Sequence, residues 1–243
     1  MIKVSLVIPC YNEELRIEQE KFCLLLREAI NNDIDLQLHF VNDGSIDNTR
    51  EIIGRLILEE PKNCFLINLE TNVGKAEVIR KTMLTLCDSD RDYLGFIDAD
   101  FAVPPLAVLR FTRTALLFPE YEYFFASRIP LLGSRIQRNG SRHLSGRLFN
   151  YVIRARLKLN IYDSQCGLKL LKNTTKLQAS LKEPVTNPWL FDVVLLQRLL
   201  EESDQKARQK IGLELPVIEW SDIPGSKVTI LSGLRSLLRA ARI

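Results

Sequence analysis

Apolar runs and helically spaced apolar positions alternate through the first hundred residues. Residues 4–8 are apolar apart from Ser5 and predict a buried strand stopped by Pro9. Residues 14–31 follow with Leu15, Phe22, Leu25, Leu26 and Ala29 at helical spacing. Residues 36–41 predict a second strand, and Asp47 then suits the cap of a helix through Leu58. A third strand over 64–69 precedes a helix opening at Asn72-Val73-Gly74-Lys75, with Ile79, Met83 and Leu86 on one side. A fourth strand is predicted over 93–97. Strands alternating with helices through short links predict an α/β fold, a doubly wound and mostly parallel sheet with helices on both faces. Such sheets take ligands beyond the C-terminal ends of their strands.

Past residue 104 the pattern loosens. Helices are expected over 105–118 and 189–200 and partly over 144–159, with strands over 123–127, 168–171 and 215–220. One domain over 1–227 is expected, followed by a helix over 228–243. That helix has an apolar stripe (Ile230, Leu231, Leu234, Leu237, Leu238, Ala241) flanked by Arg235, Arg239 and Arg242. It suits either a membrane interface or docking on protein.

The polar motifs fall at the predicted strand ends: Pro9-Cys10-Tyr11-Asn12-Glu13, Asn42-Asp43-Gly44-Ser45 and Asp98-Ala99-Asp100. Two carboxylates spaced i, i+2 where a strand stops can turn toward one point. Hard oxygen ligands of that kind suit a divalent cation on a diphosphate. Asp43 suits either a plain turn or a hydrogen bond from a base or ribose. Lys75, at a helix N-terminus after Gly74, suits either an anion or a solvated surface. Neither a P-loop nor a GxGxxG motif is present, so phosphate binding by those devices is excluded.

The net charge of +3 is mild but unevenly spread. Residues 128–158 carry Arg128, Arg135, Arg138, Arg142, Arg147, Arg154, Arg156 and Lys158 and no acid. A phosphate-bearing ligand or an anionic membrane surface fits this block. Nucleic acid is not expected, because no reader motif accompanies the arginines. Five cysteines without CxxC spacing predict free thiols in a reducing compartment. With neither a signal peptide nor an apolar run of membrane-spanning length, a cytoplasmic chain, at most peripheral to a membrane, is expected. His39 and His143 read as structural, and Trp189 and Trp220 as packing residues.

In this order the motifs resemble the inverting family 2 glycosyltransferases. Ala126-Ser127-Arg128, Asp163-Ser164-Gln165-Cys166-Gly167-Leu168-Lys169, Phe191-Asp192-Val193 and Trp220-Ser221-Asp222-Ile223-Pro224-Gly225-Ser226-Lys227 are similar to the dolichyl- and polyprenyl-phosphate glucosyl- and mannosyltransferase branch. The resemblance implies a GT-A fold and a nucleotide-sugar donor held by Pro9, Tyr11, Glu13, Val41, Asp43, Lys75, Asp98, Ala99, Asp100, Arg128 and Lys227. It implies Mg²⁺ or Mn²⁺ on Asp98, Asp100 and Gln165, catalytic roles for Asp100, Arg128 and Asp192, and acceptor-phosphate contacts from Arg135 and Lys169. A lipid phosphate, already ionised near neutral pH, needs cations and no base. A saccharide hydroxyl needs a carboxylate base, for which Asp192 is the candidate. A catalytically silent nucleotide-sugar binding protein is the third reading. Asn42, Ala76 and Val194 depart from the family pattern, where an acid, a glycine and a glutamate are common.

Overall fold

The computed structural model describes residues 1–137, 140–201, 208 and 210–221. Lys227 and the helix expected over 228–243 lie outside the described residues, as does Arg138. A seven-stranded sheet has the order β3-β2-β1-β4-β7-β5-β8. Its strands are β1 (Ile2–Cys10), β2 (Ile34–Asp43), β3 (Cys64–Leu69), β4 (Tyr93–Phe96), β5 (Tyr123–Ser127), β7 (Lys169–Lys172) and β8 (Gly212–Pro216). All run parallel except β7, which is antiparallel to both β4 and β5. The short strands β6 (Arg135–Gln137) and β9 (Glu219–Ser221) form a separate parallel pair.

The side-chain alternation of a strand sorts the core into two layers. Val4, Leu6, Ile8 and Cys10 of β1 face one cluster, and Val7 faces the other. The first cluster is closed by α1 (Gln19–Asn31), α2 (Thr49–Glu59) and α4 (Pro105–Leu117). The second is closed by α3 (Lys75–Leu86), α5 (Gly140–Leu157), α6 (Thr175–Lys182) and α7 (Phe191–Leu200). Phe22 of α1 shows the anchoring. Its ring meets Phe40 edge-on at 4.9 Å and Phe101 at 4.3 Å. Truncating a buried phenylalanine of this kind costs about 3–5 kcal/mol. The same ring pins Phe101, which follows Asp100 and adopts a left-handed φ of 47°.

Several expectations shift. The first strand runs through Pro9 to Cys10. Val7 O accepts from Ile97 N, so Val7 points its backbone groups toward β4. Pro9, two residues on, points the same way, but β4 pairs only as far as Val7. Its missing N–H therefore costs no ladder bond. Helix α1 begins at Gln19 instead of residue 14, because residues 13–17 turn instead, with Arg16 N and Ile17 N both donating to Glu13 O. The strand expected over 215–220 is two strands on two sheets, β8 and β9, broken at Val217-Ile218. β6, α6 and the reversed direction of β7 were not expected from the apolar pattern.

Candidate active site

The site is built from the loops at the C-terminal edge of the parallel strands. The β1–α1 loop is tied to the β2–α2 loop by short polar side chains. Ser45 Oγ accepts from Asn12 N at 3.0 Å, Thr49 Oγ1 from Glu13 N at 2.8 Å, and Asp47 Oδ2 from Glu14 N at 3.1 Å. Asp47 also accepts from Thr49 N at 3.1 Å, but the N-cap of α2 is Asn48, so Asp47 supports the helix start from one residue before the cap. These bonds hold its carboxyl below the usual range, against the opposing effect of burial.

Asp43 ends β2 with both carboxylate oxygens engaged. Oδ1 accepts from Val73 N at 2.7 Å and Oδ2 from Gly74 N at 2.9 Å. The side chain thus shapes the loop that leads to Lys75. The turn after β2 is made by Asn42, whose Oδ1 accepts from Ser45 N at 3.2 Å while its Nδ2 donates to Asn68 at 2.7 Å. An amide fits there because the position needs an acceptor and a donor together. Gly44 is left-handed (φ 67°), and a Cβ on it would sit 2.7 Å from Asn72 N, so only glycine fits between these loops.

Asp98 and Asp100 follow β4, and each is neutralised by a cation from another loop. Lys75 Nζ pairs with Asp98 and Arg16 with Asp100. Arg16 also pairs with Glu13 at 3.1 Å. Asp100 Oδ1 accepts from Ala102 N at 3.1 Å. The Lys75 side chain is more than half exposed; its partial desolvation works against the charge, but Asp98, Asp192 and Asp100 outweigh it and hold its pKa above the usual lysine value. Val41 and Ala99 are buried beneath these groups, and Pro9, Tyr11 and Glu13 are partly exposed beside them.

The second half of the site is the loop over 161–168. Asp163 grips Arg128 bidentately, with Nε to Oδ2 at 2.6 Å and Nη2 to Oδ1 at 2.8 Å. Burial opposes the charge on Arg128, yet Asp163 and the more distant Asp98 keep it firmly protonated. Its guanidinium also lies 5.1 Å over the Trp220 ring. Three elements hold the loop itself. Glu214 of β8 accepts from Tyr162 N and Asp163 N at 2.8 and 2.7 Å. Asn150 of α5 accepts from Ser164 N at 3.0 Å, and Gln165 Nε2 donates to Trp189 O at 3.2 Å. Gly167 lies directly against Asp98: a Cβ there would overlap Oδ2 and stand 2.7 Å from Cγ. The loop carrying Gln165 is therefore packed on the first acid of the pair.

Lys169 differs from the expected acceptor contact. It is fully buried, with its ammonium bonded to Cys166 O, 3.5 Å from Asp192 and 5.8 Å from the Phe96 ring centre. A residue enclosed in this way cannot meet a phosphate arriving from solvent. Its charge instead offsets that of Asp192. Arg135 does project outward, paired with Glu219. Ala76 is buried in the second core layer and Val194 packs against it, so both departures from the family pattern fill apolar positions. Burial pushes the Cys10 thiol up and that of Cys166 to about 11, which leaves neither thiol as a nucleophile near neutral pH.

Residues 5–172 match Glycosyl transferase family 2, more than half of the chain. The chain belongs to this family. A dolichyl-phosphate beta-glucosyltransferase of Trichomonas vaginalis is 29% identical across 94% of this chain and 69% of its own length. The enzymes of that name from Drosophila melanogaster and Saccharomyces cerevisiae are 30% and 26% identical, each across 94% of this chain and 70% of their own. Among solved structures, the glucosyl-3-phosphoglycerate synthase of Mycobacterium tuberculosis with Mn²⁺, UDP and glucosyl-3-phosphoglycerate superimposes with a TM-score of 0.66. It is 18% identical over 100% of this chain and 81% of that one. A mannosyltransferase of Pyrobaculum calidifontis with GDP-Man and Mn²⁺ gives 0.62, at 16% identity over 97% and 64%. These likenesses establish the GT-A fold.

Within this family 2 glycosyltransferase, the apolar pattern did not reveal Arg16, Asp163, Glu214 or Asn150. Arg16 reads as a helix residue until residues 13–17 are seen to turn. Asp163 stands in the loop motif with no sign that Arg128, thirty-five residues earlier, is its partner. Among the described residues no cluster of three His, Cys, Asp or Glu side chains forms a metal site. The donor set at Asp98 and Asp100 nevertheless fits a hard divalent cation, since both groups offer hard carboxylate oxygens, and an ion bound there would take over the neutralisation that Lys75 and Arg16 now supply.

Proposed function

We propose that this glycosyltransferase moves a hexose from a nucleotide-diphospho-sugar, of the UDP-glucose or GDP-mannose type, to a polyprenyl or dolichyl phosphate with inversion. The observation that carries the reading is the convergence of Asp98 and Asp100 with Lys75, Arg16 and the Arg128–Asp163 loop at one sheet edge. The likeness to dolichyl-phosphate glucosyltransferases along nearly the whole chain supports the acceptor.

In this reading Asp98 and Asp100, with Gln165, hold Mg²⁺ or Mn²⁺. The ion supplies Lewis-acid neutralisation of the diphosphate. Lys75 and Arg128 bring fixed positive charge to the leaving group, where charge develops as the sugar C1–O bond breaks. The acceptor phosphate, ionised already, attacks C1 from the opposite face, so the chain need only hold it and exclude water. Tyr11, Glu13, Val41 and the Asp43-shaped loop offer the pocket for base and ribose. Lys227, Arg135 and the neighbouring arginines are the candidate contacts for phosphate groups. Such an acceptor places the reaction at a membrane surface, for which the cytoplasmic face is our proposal. No helix among the described residues is long and apolar enough to cross one.

The test is transfer of radiolabelled sugar from UDP-glucose and GDP-mannose to polyprenyl phosphate, with Mn²⁺ or with chelator. A labelled product extractable into organic solvent, lost with chelator, is expected from one donor. Absence of product from every common nucleotide sugar sinks the proposal. A saccharide hydroxyl acceptor is the second reading, favoured by one observation: Asp192 Oδ1 is buried and makes no hydrogen bond, with Lys169 Nζ 3.5 Å away. It predicts that Asp192→Asn abolishes transfer while donor binding survives.

A further inference from the structure

Two clusters of exposed apolar side chains stand at opposite ends of the sheet. Leu116, Leu117 and Phe118 lie where α4 ends, ahead of β5, and Glu120 and Glu122 follow them. Leu131, Leu132 and Ile218 lie beyond the other end of β5, at the edge that carries the active site. Leu132 is fully exposed, Leu131 half exposed and Ile218 more than half exposed. A tight turn presents the two leucines. Ser134 N donates to Leu131 O at 3.0 Å, Ser134 Oγ accepts from Leu131 N at 2.9 Å, and Gly133 is left-handed at φ 84°. Arg135 N donates to Ile218 O at 2.7 Å, which sets Ile218 beside the turn. This knob starts three residues after Arg128, whose guanidinium lies over Trp220, two residues after Ile218.

Resting on the lipid-phosphate reading of the acceptor, we propose that the Leu131–Leu132 turn and Ile218 form a wedge that enters an anionic bilayer beside the active site. Three features favour this occupant. The apolar groups sit on a turn that protrudes, a shape suited to insertion and not to a groove. The sequence from 128 to 158 carries eight cations and no acid, complementary to an anionic surface. The second cluster shares the exposed leucines but lies outside that basic block; acids flank both clusters, Glu219 beside Ile218, paired with Arg135, and Glu120 and Glu122 after Phe118. A lipid phosphate also keeps its chain in the bilayer, so the surface that meets the bilayer must adjoin the groups that receive the phosphate. At this wedge it does.

The experiment is co-sedimentation of the full chain with vesicles of phosphatidylcholine alone and with added phosphatidylserine. Leu131→Ser with Leu132→Ser is compared with Leu116→Ser with Leu117→Ser. Both pairs are exposed, and equal melting temperatures verify that they fold. The wedge pair is expected to weaken binding to the anionic vesicles about tenfold or more, while the control pair leaves it unchanged. No binding by the parent chain, equal binding by the wedge variant, or loss in the control pair alone overturns the proposal. So does a concentration-dependent dimer that disappears in the wedge variant without any vesicle effect. Transfer to polyprenyl phosphate in detergent micelles, run on the same proteins, reads the acceptor separately. Vesicle binding without micellar transfer refutes the acceptor reading and leaves the membrane surface standing.

Discussion

From β1 to β4 the loops at the sheet edge are laced together by short polar side chains and backbone amides. Ser45, Thr49, Asp47 and Asp43 each accept amide hydrogens from a neighbouring loop. From β5 to β8 the same edge is held by buried charge: Arg128 on Asp163, Lys169 near Asp192, and Glu214 on two amides of the 161–168 loop. The first device distributes its stabilisation over many bonds of about 1 kcal/mol each. The second concentrates it in a few groups, each of which leaves an uncompensated charge when its partner goes. The two halves should therefore fail differently.

Asp163→Ala tests the concentrated half and should do the most damage. It strands the Arg128 guanidinium and is expected to cost about 3–5 kcal/mol in denaturant unfolding, with transfer lost as well. A loss below about 1 kcal/mol would erase the contrast. His39, in β2 of the laced half, supplies a pH test. Burial, aided by Arg91, lowers its pKa from 6.5 to about 4, and its Nε2 lies 3.3 Å from Ser5 Oγ. Its stabilisation is complete above pH 6.5 and drains away as pH falls toward 4, by about 2–3 kcal/mol. Melting curves of His39→Gln should lack that slope.

Gly167→Ala probes the contact between the halves. The added methyl displaces Asp98 or the loop, and a cost of about 1–3 kcal/mol is expected. Weaker Mn²⁺-dependent donor binding, read by thermal shift with UDP- and GDP-sugars, should accompany it. Thr49→Val is the mildest test. It removes the acceptor for Glu13 N and the donor to Asp47, and about 1–2 kcal/mol should be lost with transfer reduced only slightly. If it matched Asp163→Ala, the laced half would not be redundant.

Much of the first half was legible because its information is local. Largely apolar runs over 4–8, 36–41, 64–69 and 93–97 each lie within an observed strand or overrun it by one residue, since a buried parallel strand needs mostly apolar side chains. The acids at 98 and 100 were found because a strand must stop where they begin. Asp43 was placed correctly in the chain, yet whether its carboxylate faces a ligand or a loop amide could not be read from a dipeptide. In the second half, an antiparallel β7 between two strands to which it is not adjacent in the chain carries no local signal. Nor does the split of residues 215–220 across two sheets, because an apolar stretch looks the same whichever sheet it joins.

By itself the sequence determined the doubly wound layering and the position of three polar strand ends on one edge, the third of them the acid pair after the fourth strand. Apolar period and turn residues suffice for these, because they are properties of neighbours in the chain. Tertiary structure alone decided which cation answers which acid: Lys75 to Asp98, Arg16 to Asp100, Arg128 to Asp163, and Lys169 turned inward to Asp192. Electrostatic partners are chosen by distance in space and by burial, and the chain order encodes neither until the sheet has brought its edges together.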